Sequence, residues 1–115
     1  MSEWVWTWGG VSFGWINDDA LFTQGGRHVG RVDYDGDETL VFSIVDGRYL
    51  GEVRDGNRLI TKESRMGRRR GPRSERMPRT PRMPRMDRMP RMMRMGCCDF
   101  PEPQFLEGAS ALSSR

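Results

Sequence analysis

Short apolar runs, broken by Gly, Asn and Asp, fill the first sixty residues. Three of them align without gaps: Gly9 to Ile16 (GGVSFGWI), Gly25 to Val32 (GGRHVGRV) and Asp46 to Val53 (DGRYLGEV). Phe13, Val29 and Leu50 form one apolar column, and Ile16, Val32 and Val53 form a second. Gly9-Gly10, Gly25-Gly26 and Asp46-Gly47 read as two-residue hairpin turns, because such pairs supply the positive φ that type I′ and II′ turns need. Longer clusters at Asn17–Asp19, Asp33–Glu38 and Arg54–Asn57 separate the units. The pattern predicts strands near 3–8, 11–16, 20–24, 27–32, 39–45, 48–53 and 58–62, a meander in which tight and loose turns alternate.

An inner glycine recurs in each unit: Gly14, Gly30 and Gly51. Side chains alternate along a flat strand, so the two apolar columns, three residues apart, would face opposite sides. A bulge at the inner glycine restores both to one face and increases the twist. Repeated three times, it curls the meander. The prediction is an all-β, pseudo-symmetric domain of about four hairpin units closing into a ring or barrel, with turn glycines Gly10, Gly26 and Gly47 and bulge glycines Gly14, Gly30 and Gly51.

The pattern then changes period. Arg stands at 70, 73, 76, 79, 82, 85, 88, 91 and 94. Met follows it at 77, 83, 86, 89 and 92, and Pro precedes it at 72, 78, 81, 84 and 90. The prolines exclude an α-helix. A polyproline II helix has three residues per turn, which puts Arg, Met and Pro on separate edges over roughly 75 Å. Three uses of this tail stay open. It is a solvated, disordered chain, or it docks through its Met and Pro edges on its own or a neighbouring domain, or Arg70, Arg73, Arg76, Arg79, Arg82, Arg85, Arg88, Arg91 and Arg94 contact a polyanion such as nucleic acid. The tail has no aromatic residue for base stacking.

Charge separates the same two parts. Residues 1–61 carry five Arg against ten Asp and Glu, a net of −5, while residues 62–95 carry thirteen Lys and Arg against three acids, a net of +10. The acidic domain is thus an electrostatic match for the tail. The expected divisions are 1–66 for the repeat domain, 67–95 for the triplet tail and 96–115 for a C-terminal tail. A domain this small buries only about 60% of its unfolded surface. Disulfides cannot help it, since the two cysteines, Cys97 and Cys98, are adjacent and lie in the tail. Without a leader-like start or a long apolar run, the expected compartment is the cytoplasm.

Chemistry-bearing groups are sparse. His28 is the single His and reads as a surface or half-buried repeat position. With two neighbouring Cys it cannot complete a zinc set. Asp33–Glu38 is similar to the start of a calcium loop, but its Gly falls early and Ile44 stands where the bidentate Glu belongs, so an acidic hairpin loop is preferred. Cys97 and Cys98 are expected in a mobile segment. Trp4, Trp6 and Trp8 share one face and, with Trp15, read as core or as a lid over one end of it, the alternative being an exposed platform for a ligand or second subunit. No catalytic residue, cofactor, metal or small-molecule substrate is predicted.

Two family resemblances follow from these motifs. Gly26–Val32 (GRHVGRV), Gly47–Val53 (GRYLGEV), the Gly71-Pro72 junction and the Arg triplets resemble the small bacterial 4-fold β-flower proteins, over about residues 8–95. Val11 departs from the basic residue usual there, and no fourth unit is legible beyond its start at Asp55–Ile60. The resemblance implies internal four-fold pseudo-symmetry and carries no catalytic residue. Tyr49–Arg58 (YLGEVRDGNR) also resembles one MORN repeat, but the intervals of 16 and 21 residues between units do not keep that period. The leading expectation is a non-enzymatic structural or interaction protein whose arm packs on its own or a neighbouring β-domain, with a homo-oligomer as the candidate assembly. The alternatives are non-specific nucleic-acid binding and a MORN-like scaffold, with no membrane partner.

Overall fold

The computed structural model describes residues 2–54, 56–69, 79–83 and 85–106. Arg70, Arg73, Arg76, Met77, Pro78, Pro84 and the Gly71-Pro72 junction lie outside the described residues. The strands are β1 (Ser2–Thr7), β2 (Ser12–Asn17), β3 (Ala20–Thr23), β4 (His28–Asp35), β5 (Glu38–Ser43), β6 (Tyr49–Arg54), β7 (Arg58–Lys62) and β8 (Cys97–Asp99), with a 3-10 turn at Glu63–Arg65. Each strand pairs antiparallel with the next, and β1 returns to pair in parallel with β7, Trp6 opposite Arg58 and Thr7 opposite Leu59. Seven strands therefore close into a barrel.

The bulges fall where the two apolar columns require them. Val5 faces Gly14 while Trp6 faces Ser12; Leu21 faces Gly30 while Phe22 faces His28; Val41 faces Gly51 while Phe42 faces Tyr49. The skipped residues are Phe13, Val29 and Leu50, each just before an inner glycine. All three enter one core with Val5, Ile16, Leu21, Val32, Val41, Leu59 and Phe100, and Val53 packs against it. The inner position is small because the next strand is close. A Cβ on Gly14 would stand 2.0 Å from the Phe22 carbonyl oxygen, and one on Gly51 would stand 2.6 Å from that of Ile60.

Turn lengths reverse the sequence expectation. The Asp and Asn clusters make the short turns, Asp18-Asp19 and Gly36-Asp37, whereas the glycine pairs lie in longer ones. The Thr7 N–H donates to the Val11 oxygen (2.8 Å), the Gly10 N–H to the Thr7 oxygen (2.9 Å) and the Val11 N–H to Thr7 Oγ1 (3.1 Å), leaving Trp8-Gly9-Gly10 as the loop. Thr23 and Ser43 anchor the equivalent turns. The hydroxyl before the glycine pair binds main-chain donors that a two-residue turn would not present.

The fourth unit is also present, and it is not contiguous. Val5-Trp6-Thr7, Leu21-Phe22-Thr23 and Val41-Phe42-Ser43 have a fourth counterpart in Leu59-Ile60-Thr61 on β7. Its hairpin partner is β8, with Ile60 opposite Asp99 and Thr61 opposite Cys98. Gly96, at φ 75°, precedes β8 as Gly10 (92°) and Gly26 (88°) precede β2 and β4. Phe100 is 2% exposed and meets Phe13 edge to face at 5.4 Å. The expected separate C-terminal tail from residue 96 therefore gives way to a strand and a core residue. The described part of the triplet segment, 79–83 and 85–94, lies in the connection between β7 and β8, the two strands of the fourth hairpin.

Candidate interaction site: the arginine ladder

Outward positions of the first three strands carry a continuous aromatic row. Trp15 stacks on Phe22 at 5.6 Å, Trp4 lies 5.8 Å from Trp15, and Phe22 lies 5.3 Å from the His28 ring. Trp15 and Phe22 are fully buried, yet they sit outside the barrel core. The arm covers them.

Each described triplet arginine places its guanidinium over a ring. Arg79 lies 5.5 Å from the Phe22 centroid, Arg82 4.2 Å from Trp15, Arg85 5.6 Å from Trp4 and Arg88 3.5 Å from Trp6. Arg91 and Arg94 share Trp8, at 5.5 and 4.9 Å. Main-chain bonds set the register. The N–H groups of Arg79, Arg82, Arg88 and Arg91 donate to the carbonyls of Gly26 (2.7 Å), Gln24 (2.9 Å), Gly10 (2.8 Å) and Trp8 (3.3 Å). Arg85 N–H donates to Ser12 Oγ (3.2 Å). The domain answers: Trp6 Nε1 donates to the Met86 carbonyl and Trp8 Nε1 to that of Met92, both at 3.0 Å, and the Ser12 N–H donates to Asp87 Oδ1 (2.8 Å).

The contacts repeat. Arg79 binds the Gly26 carbonyl and covers Phe22; nine residues on, Arg88 binds the Gly10 carbonyl and covers Trp6. Arg82 to Gln24 becomes, nine residues on, Arg91 to Trp8. The domain residues in each pair are sixteen apart: Gly10 and Gly26, Trp6 and Phe22, Trp8 and Gln24. Three triplets thus span one hairpin unit. Upstream, the Tyr49 N–H donates to the Arg68 carbonyl (2.8 Å) and Arg48 bridges Arg69, so the chain passes the third hairpin before the second and first.

The docking edge is the reverse of the one expected from apolarity. Arg faces the domain, while Met83, Met86, Met89 and Met92 are 88, 88, 84 and 91% exposed. The planar guanidinium stacks on indole and phenyl faces, which is worth about 0.5–1 kcal/mol at an exposed site and more when desolvated. The described partners of Arg79, Arg82, Arg85 and Arg88 on this edge are rings, carbonyls and the Ser12 hydroxyl. The turn glycines take part directly. A Cβ on Gly10 would stand 2.0 Å from the Arg88 oxygen, and one on Gly26 would stand 1.9 Å from that of Arg79.

Polar groups fix the closing seam and the far side. Asp99 accepts from the N–H groups of Trp8 (2.9 Å), Gly9 (2.9 Å) and Phe100 (2.8 Å), which ties β8 to the first turn. Arg58 is buried beside Arg88 and Arg91, donates through Nη1 to the Trp8 carbonyl (3.0 Å), and has its pKa lowered by burial and then by those two charges. Buried Glu52 accepts from Arg54 Nε (2.7 Å), Arg65 Nη1 (3.2 Å) and the Tyr49 hydroxyl (3.1 Å). Arg65 also forks onto Glu38 at 2.6 and 2.7 Å, which lowers the Glu38 pKa.

His28 is buried rather than superficial, its Nε2 2.8 Å from the Gly30 carbonyl, in the column shared by buried Ser12 and Tyr49. Cys97 and Cys98 are free thiols held in β8, and burial raises the Cys98 pKa. An open cavity of about 420 Å³ lies among Tyr49, Thr61, Met66 and Cys98. No set of three His, Cys, Asp or Glu suited to a metal occurs among the described residues. No described helix is long and apolar enough to cross a membrane. The signal for Trp6 and Phe22 is a recurring aliphatic–aromatic–hydroxyl triplet, at Val5-Trp6-Thr7, Leu21-Phe22-Thr23 and Val41-Phe42-Ser43. No family model, curated protein or solved structure matches the chain.

Proposed function

We propose that the protein is a non-enzymatic structural or interaction module, cytoplasmic, whose triplet segment is a clasp for its own β-barrel. One observation carries the reading: the nine-residue step of the arm against the sixteen-residue step of the barrel. A disordered basic tail has no reason to keep that commensurate register. The four hairpin units fit membership of the β-flower family as part of the same proposal. Covered rings weigh against nucleic-acid binding as the main role, because the aromatic faces that would stack bases already carry guanidiniums. The test is limited proteolysis of the full chain with a protease that cuts after arginine. Resistance of the bonds after Arg79 to Arg94, lost together with tryptophan burial on heating, is the expected result. Rapid cleavage there with the barrel intact overturns the reading.

A further inference from the structure

A clasp of this kind needs only its arginine edge, which leaves the methionine edge unexplained. Met83, Met86, Met89 and Met92 stand outward at every third residue, and Met95 extends the row fully exposed. Spacing of about 9 Å per triplet in a polyproline-like chain makes this a continuous apolar line. Large exposed apolar runs on a folded surface mark a binding face, and methionine adapts to irregular apolar partners. Beside the line run Arg79, Arg82, Arg85, Arg88, Arg91 and Arg94, each stacked on a ring by one face and still exposed to solvent. Asp87 is the single acid between them, and its carboxylate is held by Ser12.

We infer that this face docks on an anionic phospholipid bilayer, the methionines entering the acyl boundary and the guanidiniums meeting headgroup phosphates. Charge complementarity selects the occupant. A second copy would set two strongly cationic arms against each other, and a nucleic acid would press its phosphates onto the apolar line. An anionic bilayer offers phosphate and hydrocarbon in adjacent layers, in the order the arm presents them. The inference rests on the docked arm, because a free tail would present no fixed methionine edge.

Full-length protein is mixed with vesicles of phosphatidylcholine, with and without phosphatidylglycerol, and sedimented. Binding to the phosphatidylglycerol vesicles is expected, weakening as salt rises. A variant with Met83, Met86, Met89 and Met92 changed to Ser should lose about tenfold or more in affinity, and the same four changed to Leu should retain it. These side chains are exposed, so both variants should keep the wild-type melting temperature and arginine-site protease resistance; that readout tests the clasp separately. No sedimentation at low salt overturns the inference. So does Met→Ser binding equal to wild type, which would mean a purely electrostatic surface, or loss in the Met→Leu variant, which would mean thioether chemistry. Tighter binding to a duplex oligonucleotide than to the vesicles overturns it in favour of nucleic acid.

Discussion

Gly10 and Gly26 carry two constraints at once: a left-handed φ of 92° and 88°, and an arm carbonyl oxygen where a Cβ would be. Alanine at either position meets both, so Gly26→Ala should destabilise by about 1–3 kcal/mol and lift the arm off Phe22. A lower melting temperature and new cleavage after Arg79 would show this. Gly14→Ala differs in kind, since its clash is with the Phe22 carbonyl inside the sheet, and it should destabilise the barrel itself. Tyr49 gives a pH dependence. Its hydroxyl donates to Glu52 and accepts from the Lys62 N–H (3.1 Å), and burial pushes its pKa from 10.0 to about 12. The folded state therefore holds this proton more tightly than the unfolded chain. The stability it contributes is complete below pH 10 and is lost as pH rises through 10 toward 12. Denaturant midpoints across that range should fall, and Tyr49→Phe should flatten the fall.

At the scale of elements, the seven strands up to Lys62 were legible because apolar columns, turn residues and inner glycines agreed with one another. Tight and loose turns were exchanged because the Thr7, Thr23 and Ser43 hydroxyls, not the glycine pairs, set loop length. β8 was not legible. Three residues, Cys97–Asp99, are too short for a periodic pattern, and the rest of the fourth hairpin stands far back in sequence at Leu59-Ile60-Thr61. Its energetic weight is nevertheless that of a core element. Phe100→Ala should cost about 3–5 kcal/mol, as for other buried phenyl groups, and a chain ending at Gly96 should lose both this ring and the Asp99 tie to the first turn. Chemical denaturation would measure the first. If the shorter chain kept the wild-type midpoint, β8 would be an accessory strand and not the fourth unit's partner.

For the whole molecule, the sequence announced a period of three and a charge mismatch, and suggested attraction between an acidic domain and a basic arm. That attraction, acting between exposed charges, would be screened at a Debye length of about 3 Å in 1 M salt. The described contacts add a second kind of hold: guanidiniums against ring faces, four arginine N–H groups on carbonyls, and two indole N–H groups on arm carbonyls. Contact-range bonds of this kind depend on salt far less than separated surface charges do. Cleavage after Arg82 and Arg88 should accordingly stay slow in 1 M sodium chloride, within about twofold of the low-salt rate, whereas an arm held by net charge alone would be released and cut. Arg82→Lys with Arg88→Lys makes the complementary change, keeping every charge while removing the planar group. It should expose the arm at any salt, because an ammonium cannot stack on Trp15 and Trp6 as a guanidinium does. A barrel that holds its arm by shape rather than by net charge must show both results together.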